Sequence, residues 1–330
     1  MTHRPPATSR RPTSLRGVAT LAALVTLVLS VVTMSTLPSS DETTSAAGRA
    51  TTPTVPTTTV RSSEQNNPAA AADGTGNDPG TRQPNSSAGK ARKVHRLADH
   101  PLLSGSNHGL PEIDCALPAW RDDPEAAEQF FTTAKDCLDA AWEPVMHRHH
   151  LPFRSPTLHF PTGDSFRTAC GTIEIGTATA AYYCKGDLYV PYSGLQTDQY
   201  GNSPGIYLAL FAHEYGHHVQ ELSGIMDAAW DHIYRLGRDS DKGLEMSRRK
   251  ELQAQCFSGM FLTSQVGTQG TITQQMFSAA WADQLSRGDD NTETRKHGSN
   301  AHYAEWWQTG ARTNTLADCD TFDVSKSAVS

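Results

Sequence analysis

The chain has 330 residues, 28 Lys and Arg against 35 Asp and Glu for a formal net charge of −7, and a 37% hydrophobic fraction. That balance lacks the clustered positive charge that neutralises phosphates, which excludes nucleic acid as a partner. The hydrophobic fraction is low for a packed chain of this length, and the deficit is concentrated in the first hundred residues.

Residues 1–16 are polar and basic, with Arg4, Arg10, Arg11 and Arg16 and no acid. Gly17 to Ser40 is uncharged, and Val18 to Leu37 is dominated by Val, Leu and Ala. About 20 apolar residues match a bilayer core, whereas a cleaved signal peptide has an apolar core of about 7–15. Residues 17–37 are therefore expected to form a transmembrane signal anchor. The basic tail 1–16 then stays in the cytoplasm and the remainder lies on the extracytoplasmic side of the cell membrane. Cleavage at Thr33-Met34-Ser35 to give a secreted protein is the alternative. Residues 38–95 are rich in Ser, Thr, Pro and Ala and contain no aromatic residue. Such a stretch cannot bury enough apolar surface to offset its ordering entropy, so a disordered linker is expected. The folded domain is expected over 96–324, with 325–330 as a tail.

Within that domain, Phe130, Phe131, Ala134, Leu138, Ala141, Trp142 and Val145 recur at helical spacing after Asp123-Pro124, which predicts a structural helix over Glu125 to Val145. Pro156 to Phe160 and Gly186 to Val190 read as short strands. Next comes Leu208-Ala209-Leu210-Phe211-Ala212-His213-Glu214-Tyr215-Gly216-His217-His218-Val219-Gln220. At about 100° per residue, His213 and His217 project from one helix face one turn apart and can grip one zinc ion. Glu214 lies about 100° around from His213, placed to hydrogen-bond a water rather than to bind metal, as a general base does. His218 points away from that face. The apolar residues before the motif predict a buried helix, in which His and Glu require partners.

A third ligand is needed. The class of zinc proteins that continues with Gly and His after the second His is excluded, because those positions are Gln220 and Ser223. A later helix, Ser247 to Phe261, has an apolar flank of Leu252, Cys256, Phe257, Met260 and Phe261 and carries Glu251 as its best carboxylate. Glu245 and Asp241 precede that pattern and are weaker candidates. Gln255 lies one turn beyond Glu251, where its side-chain oxygen can accept the free N–H of a ligating His. Further helices are predicted over Ile225 to Leu236, over Thr273 to Leu285 with Met276, Phe277, Ala280, Trp281 and Leu285 inward, and over Ala301 to Gly310, with a polar turn at Gly237 to Gly243.

The Ala212 to Gln220 block and the Glu251-Leu252-Gln253-Ala254-Gln255-Cys256-Phe257-Ser258-Gly259 block resemble the bacterial putative neutral zinc metallopeptidase family. Thr168-Ala169-Cys170-Gly171, Tyr183-Cys184, His297-Gly298-Ser299-Asn300 and Cys319-Asp320-Thr321-Phe322 extend the resemblance, from about Leu117 to Phe322. It implies an α+β, zincin-like domain, mostly helical with a small sheet. It also implies His213, His217 and Glu251 as Zn2+ ligands and Glu214 as the catalyst. One departure stands out: the family's second motif usually ends in Asp where this chain has Gln255, and a neutral amide raises the basicity of a ligating His less than a carboxylate does. In zincins the strand before the metal helix pairs with substrate, and Leu188 to Tyr192 is the candidate.

The expected activity is hydrolysis of a peptide or protein substrate by a zinc-activated water, with Glu214 as proton acceptor. His297, Tyr215 and Tyr183 are candidate oxyanion donors. A tethered binding or scaffold module with a structural zinc, and a zinc hydrolase of a non-peptide amide, are the alternatives. Six cysteines in an oxidising compartment predict disulfides. Cys115–Cys137, Cys170–Cys184 and Cys256–Cys319 are favoured because each pair flanks one structural block.

Overall fold

The computed structural model of the protein describes residues 90–105, 108–176 and 179–330. The expected basic tail, the membrane anchor and all but the last residues of the linker lie outside the described residues. Among the described residues no helix is long and apolar enough to cross a membrane.

Among the described residues seven α-helices and five strands follow one another as α1 (Pro124–Arg148), β1 (Thr157–His159), β2 (Ser165–Thr168), β3 (Gly171–Glu174), β4 (Tyr182–Cys184), β5 (Asp187–Tyr189), α2 (Thr197–Tyr200), α3 (Pro204–Ser223), α4 (Ile225–Leu236), α5 (Asp241–Gln265), α6 (Gln274–Asp283) and α7 (Asn300–Thr313). The domain is thus mostly helical with two small sheets, where one was expected. Asp123 caps α1 by accepting from Ala126 N–H, with Pro124 in the first turn. α5 starts at Asp241 because Ser240 caps it, inside the stretch read as a polar turn. Leu285 was expected to face inward but is 59% exposed, because α6 stops at Asp283.

The three-stranded sheet runs β1-β5-β4, and β2 and β3 form a separate antiparallel pair. Leu188 is its fully buried centre, opposite Leu158 on the parallel side and Tyr183 on the antiparallel side. Strand β5 is therefore paired on both edges over Asp187–Tyr189, and by Tyr192 the chain has turned into a short 3-10 helix, so the stretch expected to bind a peptide offers no free edge where it is a strand. The edge strands are β1 and β4, and β4 is the one that packs on α3. A two-residue turn joins β4 to β5, with positive φ at Lys185 and Gly186, the conformation that suits a tight hairpin and favours glycine. The sheets are tied together by Cys170–Cys184 and by Phe166 stacking on Tyr189 at 5.0 Å.

Helices α3, α5 and α7 form the core. Helix α5 crosses both of the others, and Ser258 Oγ stitches all three by donating to Ala209 O and accepting from Trp307 Nε1. The expected disulfides Cys115–Cys137 and Cys256–Cys319 are present as well. The second joins α5 to the segment after α7.

The last residues of the expected linker are not loose. Val94 N–H donates to Ser223 O at the end of α3, and Lys93 Nζ pairs with Glu221 at 2.7 Å and with Asp227 at 3.1 Å. Composition misses this because one apolar and one basic residue suffice for the contact. Beside it, His100 is fully buried. Its Nδ1 accepts from Leu102 N–H, leaving Nε2–H to donate to Ser223 O at 3.2 Å. A second ring proton would confront the Leu102 N–H, and burial depresses the His100 pKa from 6.5 to about 4.

Two predictions follow from this packing. Between pH 6.5 and 4 the unfolded chain binds a proton at residue 100 that the folded chain refuses, so stability is lost as pH falls through that window. At about 1.4 kcal/mol per unit the loss from this group reaches about 3 kcal/mol. Denaturant titrations across that range should show the decline, and His100→Gln should flatten it while lowering stability at pH 7. Breaking Cys256–Cys319, which closes a 63-residue separation, should cost about 4 kcal/mol by loop entropy. The double Ser variant should show this as a lower denaturation midpoint.

Candidate metal centre

Helix α3 carries His213 and His217 one turn apart, with ring centroids separated by 4.8 Å. Glu251 reaches them from the middle of α5: its Oε2 lies 2.9 Å from His217 Nε2 and 3.4 Å from His213 Nε2. One ligand atom from each of the three residues falls within 4.8 Å of the others. The helices approach this closely because Gly216 faces Ala254, where a Cβ would come to 3.0 Å from Ala254 Cα.

Two chains of amide hydrogen bonds settle which imidazole nitrogen carries the proton. Gln284 Nε2 donates to Ala280 O, so its Oε1 accepts from Gln255 Nε2 at 2.5 Å. Gln255 Oε1 then faces His213 Nδ1 at 2.7 Å and accepts its proton. Likewise Gln220 Nε2 donates to Lys250 O and to Gln253 Oε1, so Gln220 Oε1 accepts from His217 Nδ1 at 2.8 Å. Both Nε2 lone pairs therefore converge on one point beside a carboxylate oxygen, an arrangement that repels itself unless a cation sits there. Two imidazole nitrogens and one carboxylate oxygen are also a donor set that zinc accepts with a position left open. The residues fit a zinc ion.

Gln255 occupies the place read for it from sequence, and Gln284 explains the amide. An Asp at 255 would set an acceptor against Gln284 Oε1. The role of Gln220 escaped sequence reasoning. Its position three residues after His217, within reach on the same helix, was the available signal.

Glu251 is held from its other oxygen by Lys250 Nζ, which also lies 5.6 Å from the Trp230 ring centroid. Burial alone would raise the Glu251 carboxyl, but Lys250, His217 and His213 hold it well below the usual carboxylate range. Glu214 sits beside this cluster and is not one of the converging ligands. It accepts a hydrogen bond from the Tyr183 backbone, and no side-chain hydrogen bond or ion pair reaches it among the described residues. Burial pushes its pKa up, with His213 opposing and Glu251 reinforcing.

The three expected oxyanion donors separate. Tyr215 Oη donates to Asp139 on α1, and Tyr183 Oη to His218 Nδ1, so both are engaged away from the metal ligands. His218 Nε2 bonds Arg154 O, in keeping with its expected orientation. His297 does lie near the centre: its Nδ1 is 3.0 Å from Asp289 Oδ1. Burial opposes its protonation, while Asp289 and Glu251 raise its pKa above the ordinary value. Two tyrosines that sequence reasoning left aside are also close. Tyr182, on β4, is partly exposed, and burial together with Glu214 and Glu251 raises its pKa. Tyr303, in the first turn of α7, has its ring centroid 6.1 Å from that of His213.

The model of a family described as putative neutral zinc metallopeptidase matches residues 117–322. An uncharacterized protein of Mycobacterium tuberculosis is 29% identical over 216 residues, covering 57% of this chain and 68% of its own. An uncharacterized protein of Mycobacterium bovis matches to the same extent. Protein YpfJ of Escherichia coli, also uncharacterized, is 25% identical over 218 residues, covering 61% of this chain and 73% of its own. No solved structure matches the chain. With the family match running from ahead of α1 to beyond Cys319 and enclosing both histidines, Glu214 and Glu251, the chain belongs to the putative neutral zinc metallopeptidase family.

Proposed function

We propose that the chain is a membrane-anchored zinc peptidase: a zincin-like domain over 96–324, carried outside the cytoplasmic membrane by residues 17–37 and linker 38–95, that hydrolyses peptide bonds at His213, His217 and Glu251. The observation that carries this reading is the state of Glu214. A structural zinc site has no use for a carboxylate that is beside the ligands, outside the ligand set and free of any cationic partner of its own. Such a group suits a general base.

A zinc ion held there would supply the Lewis acidity that lets water act as a nucleophile near neutral pH and that polarises a carbonyl. The chain's residues do the rest. Gln255 and Gln220 keep the two Nδ1 protons in place, so the Nε2 atoms remain ligands. Glu214 takes a proton from the attacking water and delivers it to the leaving amine nitrogen. Strand β4 supports a peptide substrate: Tyr183 pairs with Leu188 two places from the hairpin turn, a position whose backbone groups point to the free edge. Its N–H meets Glu214 there. An extended peptide added along that edge would pass beside the base.

The test is zinc content by elemental mass spectrometry together with peptidase activity of the full-length protein. Wild type should hold about one zinc per chain and Glu251→Ala far less. Glu214→Gln should keep its zinc and lose about 10²–10⁴-fold in kcat. A folded wild type without zinc would sink the reading, and so would a Glu214→Gln variant as active as wild type; either result returns the tethered module with a structural role. Gln255→Ala and Gln220→Ala should each weaken zinc binding about 10–100-fold in chelator competition.

A further inference from the structure

We propose that Tyr303 is a catalytic residue whose phenol donates a hydrogen bond to the substrate carbonyl oxygen as that oxygen gains negative charge. The inference rests on the peptidase reading above and adds to it the group that steadies the developing charge.

Three observations carry it. Tyr303 is 7% exposed, among the described residues no hydrogen bond commits its hydroxyl to a protein acceptor, and that oxygen is not one of the fully enclosed unpaired polar atoms, so a ligand can reach it. A donor committed to no protein acceptor can bond a ligand without first breaking a bond inside the protein. Second, the ring lies against the metal ligand His213, and the phenol is within electrostatic reach of both Glu251 and Glu214. The side chain therefore lies close to the base and the ligands together. Third, its position is fixed. Ser299 caps α7 by accepting from His302 N–H, the Tyr303 N–H bonds Ser299 O, and α7 is the helix most heavily packed on α5, which bears Glu251. A donor held rigidly before the reaction pays little reorganisation during it.

The neighbours fit this role less well. Tyr182 also feels Glu214 and Glu251, but its ring packs edge-on against Phe166 of β2, whereas that of Tyr303 lies against His213. His297 lies beyond Tyr303, with ring centroids 6.5 Å apart, and its Nδ1 is committed to Asp289. Burial holds the Tyr303 phenol protonated, so it remains a donor throughout the neutral range.

The experiment compares Tyr303→Phe with wild type in the full-length protein, with Tyr182→Phe and His297→Ala alongside. It uses a fluorogenic peptide that wild type cleaves, a phosphinic peptide of the same sequence as a tetrahedral anionic mimic, and zinc analysis. Tyr303→Phe should retain one zinc and a KM within about twofold, lose about 10²–10³-fold in kcat, and bind the phosphinic peptide more weakly by a similar factor. The proposal is overturned if kcat stays within about threefold of wild type, if the loss falls on KM alone, or if His297→Ala or Tyr182→Phe takes the loss instead. Loss of zinc or of folding in Tyr303→Phe would make the phenol structural and also overturn it. A wild type that binds no zinc or cleaves no peptide defeats the peptidase reading itself. A wild type that cleaves beside an equally active Tyr303→Phe defeats this inference alone.

Discussion

Two buried imidazoles can offer lone pairs to a common point only if each gives its other ring proton to a fixed acceptor, and much of the domain is arranged to supply those acceptors. The His213 proton goes to Gln255, whose amide is held by Gln284, which is held in turn by a main-chain carbonyl of α6. The His217 proton goes to Gln220, held by Lys250 O and by Gln253, whose own amide donates to Cys319 O. Both relays involve main-chain carbonyls, which cannot swap donor for acceptor as a free amide can. The tautomers are thereby written into the backbone, and a rotation of either amide would leave buried polar atoms unpaired.

Helix α5 bears the weight of this arrangement. Arg248, Arg249, Lys250 and Glu251 are consecutive, and the three cations are buried, which is costly without partners. Each is satisfied. Arg248 donates to Val329 O and Arg295 O; Arg249 pairs with Glu245 and donates to Thr321 O and Val324 O; Lys250 holds Glu251. The segment after α7 is thus strapped along α5 by charge-assisted bonds, a disulfide and the Gln253 contact. The second of the two relays runs through that strap, so the C-terminal segment belongs to the metal centre as well as to the core.

Much of this was legible in the residue order. Helical periodicity placed α1, α3, α4 and the core of α5 because each buries a long apolar stripe, and the four-residue spacing of His213 and His217 needs only helix geometry to bring them together. Block by block, the cysteines paired as expected. What sequence missed depends on partners far along the chain. The three-residue strand β4 carries too few side chains for a two-residue period to show, so its edge position was assigned to β5. Gln220 served only to exclude another zinc class, although its side chain lies within reach of His217. Tyr303 lies in a helix whose tryptophans dominate the apolar pattern, and nothing local marks a tyrosine whose hydroxyl is committed to no protein acceptor among the described residues.

Charge couples the remaining parts. Glu251 and Lys250 both lie within electrostatic reach of Glu214, and each carboxylate disfavours ionisation of the other. Lys250 is committed to Glu251, while burial raises the Glu214 pKa and Glu251 reinforces that rise. A dication at the converging nitrogens would draw the negative charge of Glu251 and favour ionised Glu214 as well, since a bound cation is the largest local charge in such a site. In the proposed enzyme, filling the centre and arming the base would then be one electrostatic event. A histidine–glutamate cluster with a neutral residue at 214 would gain only the first of the two, which is why the carboxylate at that position carries the functional reading.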